Sequence, residues 1–120
     1  MVLIIGGAWQ GKRDFAKSEF DLGQEDFFFC DGPEIDFSRR CVVNIEEFVR
    51  KNPDPVAYFE ENREAWQNSI LICRDMFCGV VPMGAETRDW RQNCGRFSQY
   101  LAREAERVSR IFCGLEQRLK

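Results

Sequence analysis

Residues 2–13 read VLIIGGAWQGKR, an aliphatic run that feeds a glycine-rich turn and then a segment of helical character. A short apolar run of this kind reads as a first strand. Gly6, Gly7, Ala8, Trp9, Gln10, Gly11 and Lys12 follow the spacing G-x-x-x-x-G-K of a phosphate-binding loop. The spacing has a mechanism: glycines let successive N–H groups turn inward around a phosphate, the lysine reaches the terminal phosphates, and a following Ser or Thr holds Mg²⁺. Arg13 stands at the hydroxyl position. A guanidinium grips phosphate oxygens through several donors, but it offers a metal no acceptor and repels it. Residues 6–13 are therefore the candidate nucleotide-binding site, better equipped to bind phosphate than to transfer it. No metal ligand and no catalytic residue is assigned.

The 120 residues fit one domain spanning 1–120, and 11 Phe and 3 Trp supply material for its core. Apolar runs fall far short of the roughly 20 residues that cross a bilayer. The leading MVLII has neither a basic leader nor a small-residue cleavage site, so it reads as a first strand, and a cytoplasmic protein that does not engage membranes is expected. A formal charge of −3 gives no field that favours nucleic acid. The six cysteines form no C-x-x-C pair and the chain has no histidine, which argues against zinc and for reduced, packed thiols. The lack of histidine also removes the side chain best suited to proton transfer near neutrality and the usual nitrogen nucleophile for nucleotidyl groups.

Strand candidates recur at 2–5, 27–30, 41–45, 70–73 and 108–113, with helical patterns at 13–20, 46–51, 54–66 and 86–108. This alternation predicts an α/β fold with a mainly parallel open sheet of about five strands and flanking helices. Asp54 followed by Pro55 is a helix start, and residues 31–40, DGPEIDFSRR, read as an exposed loop. In the longest helix, Trp90, Cys94, Phe97, Leu101 and Ala105 form one apolar stripe. The other face carries Arg88, Arg91, Gly95, Gln99 and Ala102, with Arg96 at its edge. Gly95 costs a helix about 1 kcal/mol relative to alanine, so it predicts close packing there.

The two ends together resemble the adenosylcobinamide kinase/adenosylcobinamide-phosphate guanylyltransferase family, P-loop enzymes of cobalamin biosynthesis. IIGGAWQGKRDFA is similar to the family's strand, G-G-A-x-x-G-K-[ST] loop and helix. Gly79-Val80-Val81-Pro82, Arg88-Asp89-Trp90-Arg91, Gly95-Arg96, Gln99, Leu101-Ala102, Gly114 and Lys120 follow its G-[IV]-V-P…R-x-[FW]-R-D…G-R-x-N-Q-x-L-A…G…K pattern. About half the chain is covered. The chain departs from the family in being shorter, in Arg13, in Asn44 where a strand-3 acid is expected, in Arg74-Asp75-Met76-Phe77-Cys78 before the G-V-V-P run, in Ser98, and in lacking the nucleotide-accepting histidine.

The resemblance implies a P-loop fold, ATP or GTP as ligand with the need for Mg²⁺ left open, a corrinoid as possible second ligand, and a homotrimer whose long helix brings Arg88, Arg91 and Arg96 to a neighbour's site. The expected function is a shortened relative that binds a nucleotide or phosphate with guanylyl transfer lost. Two alternatives stand beside it. One is an active adenosylcobinamide kinase, in which Asp75 or Asp31 helps to place a metal. The other is a non-catalytic structural or partner subunit.

Overall fold

The computed structural model describes residues 1–75 and 84–120; the Gly79-Val80-Val81-Pro82 motif and Met76, Phe77 and Cys78 before it lie outside them. The elements run β1 (Val2–Gly6), α1 (Lys12–Phe20), β2 (Phe27–Phe29), β3 (Cys41–Val43), α2 (Ile45–Lys51), α3 (Pro55–Glu61), β4 (Ile70–Arg74), α4 (Ala85–Glu104), β5 (Arg107–Phe112) and β6 (Leu115–Arg118). They build one sheet in the order β2-β3-β4-β1-β5-β6. The first five strands pair in parallel, and β6 is antiparallel to β5. The expected α/β architecture with flanking helices is present, with six strands in place of about five.

The aliphatic runs are explained by burial on both faces of the sheet. Side chains alternate between two cores, as a two-residue period requires. Leu3, Val42, Leu71, Cys73 and Val108 join Phe48, Phe59, Phe97 and Leu101 from the layer of α2, α3 and α4. Ile4, Cys41, Val43, Ile70, Ile72 and Ile111 face the other way, with Ala16 of α1. Phe59 centres the larger core: its ring lies 5.0 Å from Phe97, 5.5 Å from Trp66 and 5.5 Å from Phe37, centroid to centroid. The stripe on α4 behaves as its spacing predicts, with Cys94, Phe97, Leu101 and Ala105 buried and Trp90 packed against the cluster. Gly95 is buried as well. Of the other face, Arg88, Arg96 and Gln99 are exposed.

Several expected boundaries move. The helical pattern at 86–108 stops at Glu104, where Ala105 turns extended, and the strand expected at 108–113 runs from Arg107 to Phe112, paired with β1. The pattern at 54–66 breaks after Glu61. Asn62 donates its side-chain amide to the Tyr58 carbonyl at 2.8 Å, local competition that ends helices. Trp66 then enters the core past a short 3₁₀ turn and donates to the Phe59 carbonyl at 2.7 Å. The start of α3 is as expected, with the Asp54 side chain accepting from the Ala57 N–H and Pro55 in the first turn. Residues 44 and 45 leave the strand expected at 41–45: Asn44 is left-handed at φ 64° and Ile45 opens α2.

The strand without a forecast is β6, whose residues are all exposed and carry no apolar alternation. It forms because Cys113 and Gly114 both take positive φ, 51° and 75°, in a two-residue hairpin turn. Beyond it Lys120 reaches back, its Nζ donating to the Ala102 and Arg103 carbonyls at 3.1 Å each. A cation at that helix end satisfies free carbonyls and complements the helix dipole. Among the described residues no helix is long and apolar enough to cross a membrane.

Candidate functional site

The loop of residues 6–13 leaves the C-terminal end of β1, between the ends of β4 and β5. In open α/β sheets, the crevice outside the carboxyl ends of the strands is where ligands bind. A cleft of about 570 Å³ occupies that position. Ala8, Trp9, Gln10, Gly11, Lys12 and Arg13 line it on the loop side, and Phe29, Asn44, Glu46 and Arg74 bring in the ends of β2, β3 and β4.

The loop is braced from behind by the β5–β6 turn. The Gly114 N–H donates to the Gln10 carbonyl at 2.9 Å, and the Cys113 N–H donates to Gln10 Oε1 at 2.6 Å. Gly11 has φ 91°, and a Cβ there would sit 3.4 Å from Gly114 Cα. Gly6 is fixed by crowding: a Cβ would come within 2.6 Å of the Ile111 carbonyl oxygen, so β1 and β5 approach this closely only with glycine at that position. Gly7 contributes its carbonyl, which accepts from Lys12 Nζ at 2.6 Å. The ammonium is thereby held over the loop. Gly11 is the cap residue of α1 and no side chain caps that end, leaving the first-turn N–H groups pointing out of the helix with the partial positive charge of its dipole.

Trp9 stands away from the body at φ 63° with 98% of its surface exposed. Arg13 does not reach into the loop. Its guanidinium lies over the Phe29 ring, 5.5 Å from the centroid, so it flanks the cleft from the β2 side. Lys12 has its pKa lowered, first by desolvation on burial, with Glu46 opposing the shift.

Glu46 is the residue that sequence reasoning missed. It is only 6% exposed. Burial raises its pKa from the usual carboxylate value, against the lowering effect of the Arg74 N–H, which donates to Oε1 at 2.8 Å. Two contacts from α4 place it: Trp90 Nε1 donates to the Glu46 carbonyl at 2.7 Å, and the Arg50 guanidinium lies 3.7 Å over the Trp90 ring. Thus the apolar stripe of α4 seats the first turn of α2. In the sequence, Glu46-Glu47 reads as an ordinary acidic helix start, and no signal distinguishes the buried carboxylate from the half-exposed one beside it. Asn44, at the position of the expected strand-3 acid, lines the same cleft and is exposed. The carboxylate therefore enters the cleft two residues later, from the helix.

The donor set suits an anion. Lys12, Arg13, Arg74 and the uncapped helix end bring positive charge to a cleft that Asp14, Glu46 and Glu47 also line, and among the described residues no group of three His, Cys, Asp or Glu gathers as metal ligands. Arg13, where a hydroxyl ligand would stand, adds a cation. Lys12 Nζ and the uncapped N–H groups of α1 are donors of the kind a phosphate accepts from. No model of a known protein family matches the chain, and no curated protein is significantly similar to it.

Proposed function

We propose that this protein binds a nucleotide or inorganic phosphate in the cleft at residues 6–13, as a shortened, degenerate P-loop relative of the adenosylcobinamide kinase/guanylyltransferase enzymes with guanylyl transfer lost. The observation that carries the reading is the convergence of Lys12 and the uncapped first turn of α1 on a cleft at the carboxyl ends of the parallel strands. Loop amides and the helix dipole stabilise a phosphate without any ionised partner, and Lys12 adds a charge-assisted bond. Bound phosphate competes with the Gly7 carbonyl for the ammonium. Its negative charge also returns the Lys12 pKa toward its ordinary value.

Calorimetric titration of ATP, GTP, ADP and inorganic phosphate, each with and without Mg²⁺, tests this. Binding with only weak dependence on Mg²⁺ is expected, because the position after Lys12 carries an arginine, which offers no oxygen to a metal. Absence of heat for every ligand at millimolar concentration defeats the reading. Labelled GTP should leave no covalent label on the denatured protein, since the chain has no histidine to accept a guanylyl group.

A second reading, phosphoryl transfer to the aminopropanol hydroxyl of a corrinoid, is favoured by Glu46. A buried carboxylate with a raised pKa in a phosphate cleft is suited to accept the hydroxyl proton as the O–P bond to the acceptor forms and the bond to the nucleoside diphosphate breaks. Transfer of labelled phosphate from ATP or GTP to cobinamide, lost in Glu46→Gln, separates catalysis from binding alone.

A further inference from the structure

The edge strand β6 carries a pattern that the phosphate-binding reading does not use. Residues 115–119 read Leu-Glu-Gln-Arg-Leu, a sequence that is complementary to itself when reversed: Leu meets Leu, Glu meets Arg, and Gln meets Gln. All four residues of β6 are exposed, and its outer edge ends the sheet among the described residues. The outer edge of such a strand presents backbone N–H and C=O groups with which another chain can pair.

The ladder to β5 decides which backbone groups are free. Phe112 lies opposite Leu115 and Arg110 opposite Gln117, and the Leu119 N–H donates to the Val108 carbonyl at 2.8 Å. Hydrogen bonding alternates along an antiparallel strand, so residues 115, 117 and 119 point their backbone groups inward to β5. Glu116 and Arg118 point theirs outward. Only registers that bring these outward residues together can pair two copies.

We propose that β6 pairs antiparallel with β6 of a second copy about a twofold axis at Gln117, joining the two sheets into one. In this register Glu116 of each copy exchanges backbone bonds with Arg118 of the other, giving four hydrogen bonds and two opposite-charge pairs. The neighbouring registers, centred on 116 or on 118, place Glu against Glu or Arg against Arg, which is destabilising. Charge therefore selects among the registers that hydrogen bonding permits.

Both faces of the joined sheet gain. On the α1 side, Arg107 is shared by two carboxylates, Glu19 at 2.5 Å and Glu116, and Ser109 Oγ donates to Glu116 at 2.6 Å. Arg118 of the second copy brings a further positive charge to that network. On the α4 side, Phe112, Leu115 and Leu119 are 58%, 72% and 53% exposed. The twofold sets Leu115 against Leu119 of the second copy at non-hydrogen-bonded positions, where facing side chains approach most closely. An isologous contact of this kind closes as a dimer, whereas a cyclic trimer needs a heterologous one.

Sedimentation and light scattering over a concentration series up to about 1 mM, a range that covers small interfaces, should show a monomer–dimer equilibrium. Arg118→Pro removes an outward donor and leaves the ladder to β5 intact. It should weaken dimerisation by roughly tenfold or more with an unchanged circular dichroism spectrum. Arg118→Glu and Glu116→Arg should each be monomeric, and their mixture should form a heterodimer, since both cross-strand pairs are then opposite in charge. Gln117→Cys in a Cys113→Ser background should oxidise to a dimer whose disulfide maps to the two introduced thiols. If Glu116→Arg does not fold because it loses Arg107 and Ser109, the Arg118 and Gln117 variants decide alone. A monomer at every concentration, a trimer, or a dimer indifferent to Arg118→Pro overturns the proposal.

Discussion

Lys12 and Glu46 line one cleft, and burial moves their pKa values in opposite directions, the ammonium down and the carboxyl up. Each shift reports a charge held where water solvates it poorly, an arrangement that an incoming phosphate changes. Lys12→Ala should weaken phosphate or nucleotide binding by about 1.5–3 kcal/mol, the worth of a hydrogen bond to a charged group, in the same titration that detects binding. An unchanged affinity means that the ammonium stays on the Gly7 carbonyl and does not contact ligand. Glu46 has a signature in stability. Its folded-state pKa lies above the ordinary carboxylate value of 4.5, so its contribution to stability is complete below that value and declines as pH rises through the folded one. Glu46→Gln keeps an oxygen for the Arg74 N–H and removes the titration. Melting curves between about pH 4 and pH 8 should show the variant gaining on the parent as pH rises. A constant difference across that range indicates that Glu46 does not titrate differently on folding.

At the scale of elements, the glycine loop depends on the hairpin behind it. Gly6 and Gly114 are both required, for different reasons, and the two alanine variants should separate them. At Gly114 nothing lies within 4 Å of a built Cβ, so alanine meets only the cost of φ 75°, about 1–2 kcal/mol for a left-handed residue. At Gly6 the Cβ meets the Ile111 carbonyl at 2.6 Å, backbone against backbone, and β1 must move from β5. Overpacking of that kind costs typically 1–3 kcal/mol and also displaces the loop. Urea denaturation should rank Gly6→Ala as the more destabilised, and phosphate binding should suffer more in it than in Gly114→Ala. The reverse order refutes the steric account.

For the whole molecule, stability rests on the aromatic core between the sheet and α2, α3 and α4. Phe59 is fully buried, with five aromatic neighbours: Phe37, Phe48, Tyr58, Trp66 and Phe97. Phe59→Ala should cost about 3–5 kcal/mol through lost transfer energy and the cavity left behind. Against a typical total of about 5–15 kcal/mol this is a large share. A sharp drop in the urea midpoint is expected, and a change below about 1 kcal/mol would mean that the surrounding rings collapse into the space.

The sequence by itself determined the α/β alternation, the five strands that pair in parallel, the apolar face of α4, and the position of the glycine loop. These are written in local periodicity: aliphatic runs for strands buried on both faces, a 3.6-residue stripe from Trp90 to Ala105, and punctuation by glycine and proline. Tertiary structure decided what no local pattern encodes. Where the overlapping helix and strand patterns part was settled by pairing with β1, which takes Arg107 and Val108 into the sheet. The hairpin at Cys113-Gly114 made a strand of exposed, mostly polar residues, which are silent to any test of hydrophobic alternation. Glu46 became a cleft residue because Trp90, 44 positions away, holds its carbonyl, and Arg74, 28 positions away, binds its carboxylate. Burial of a charge is a property of everything packed around it, and a one-dimensional string of side chains does not contain that information until the chain has folded.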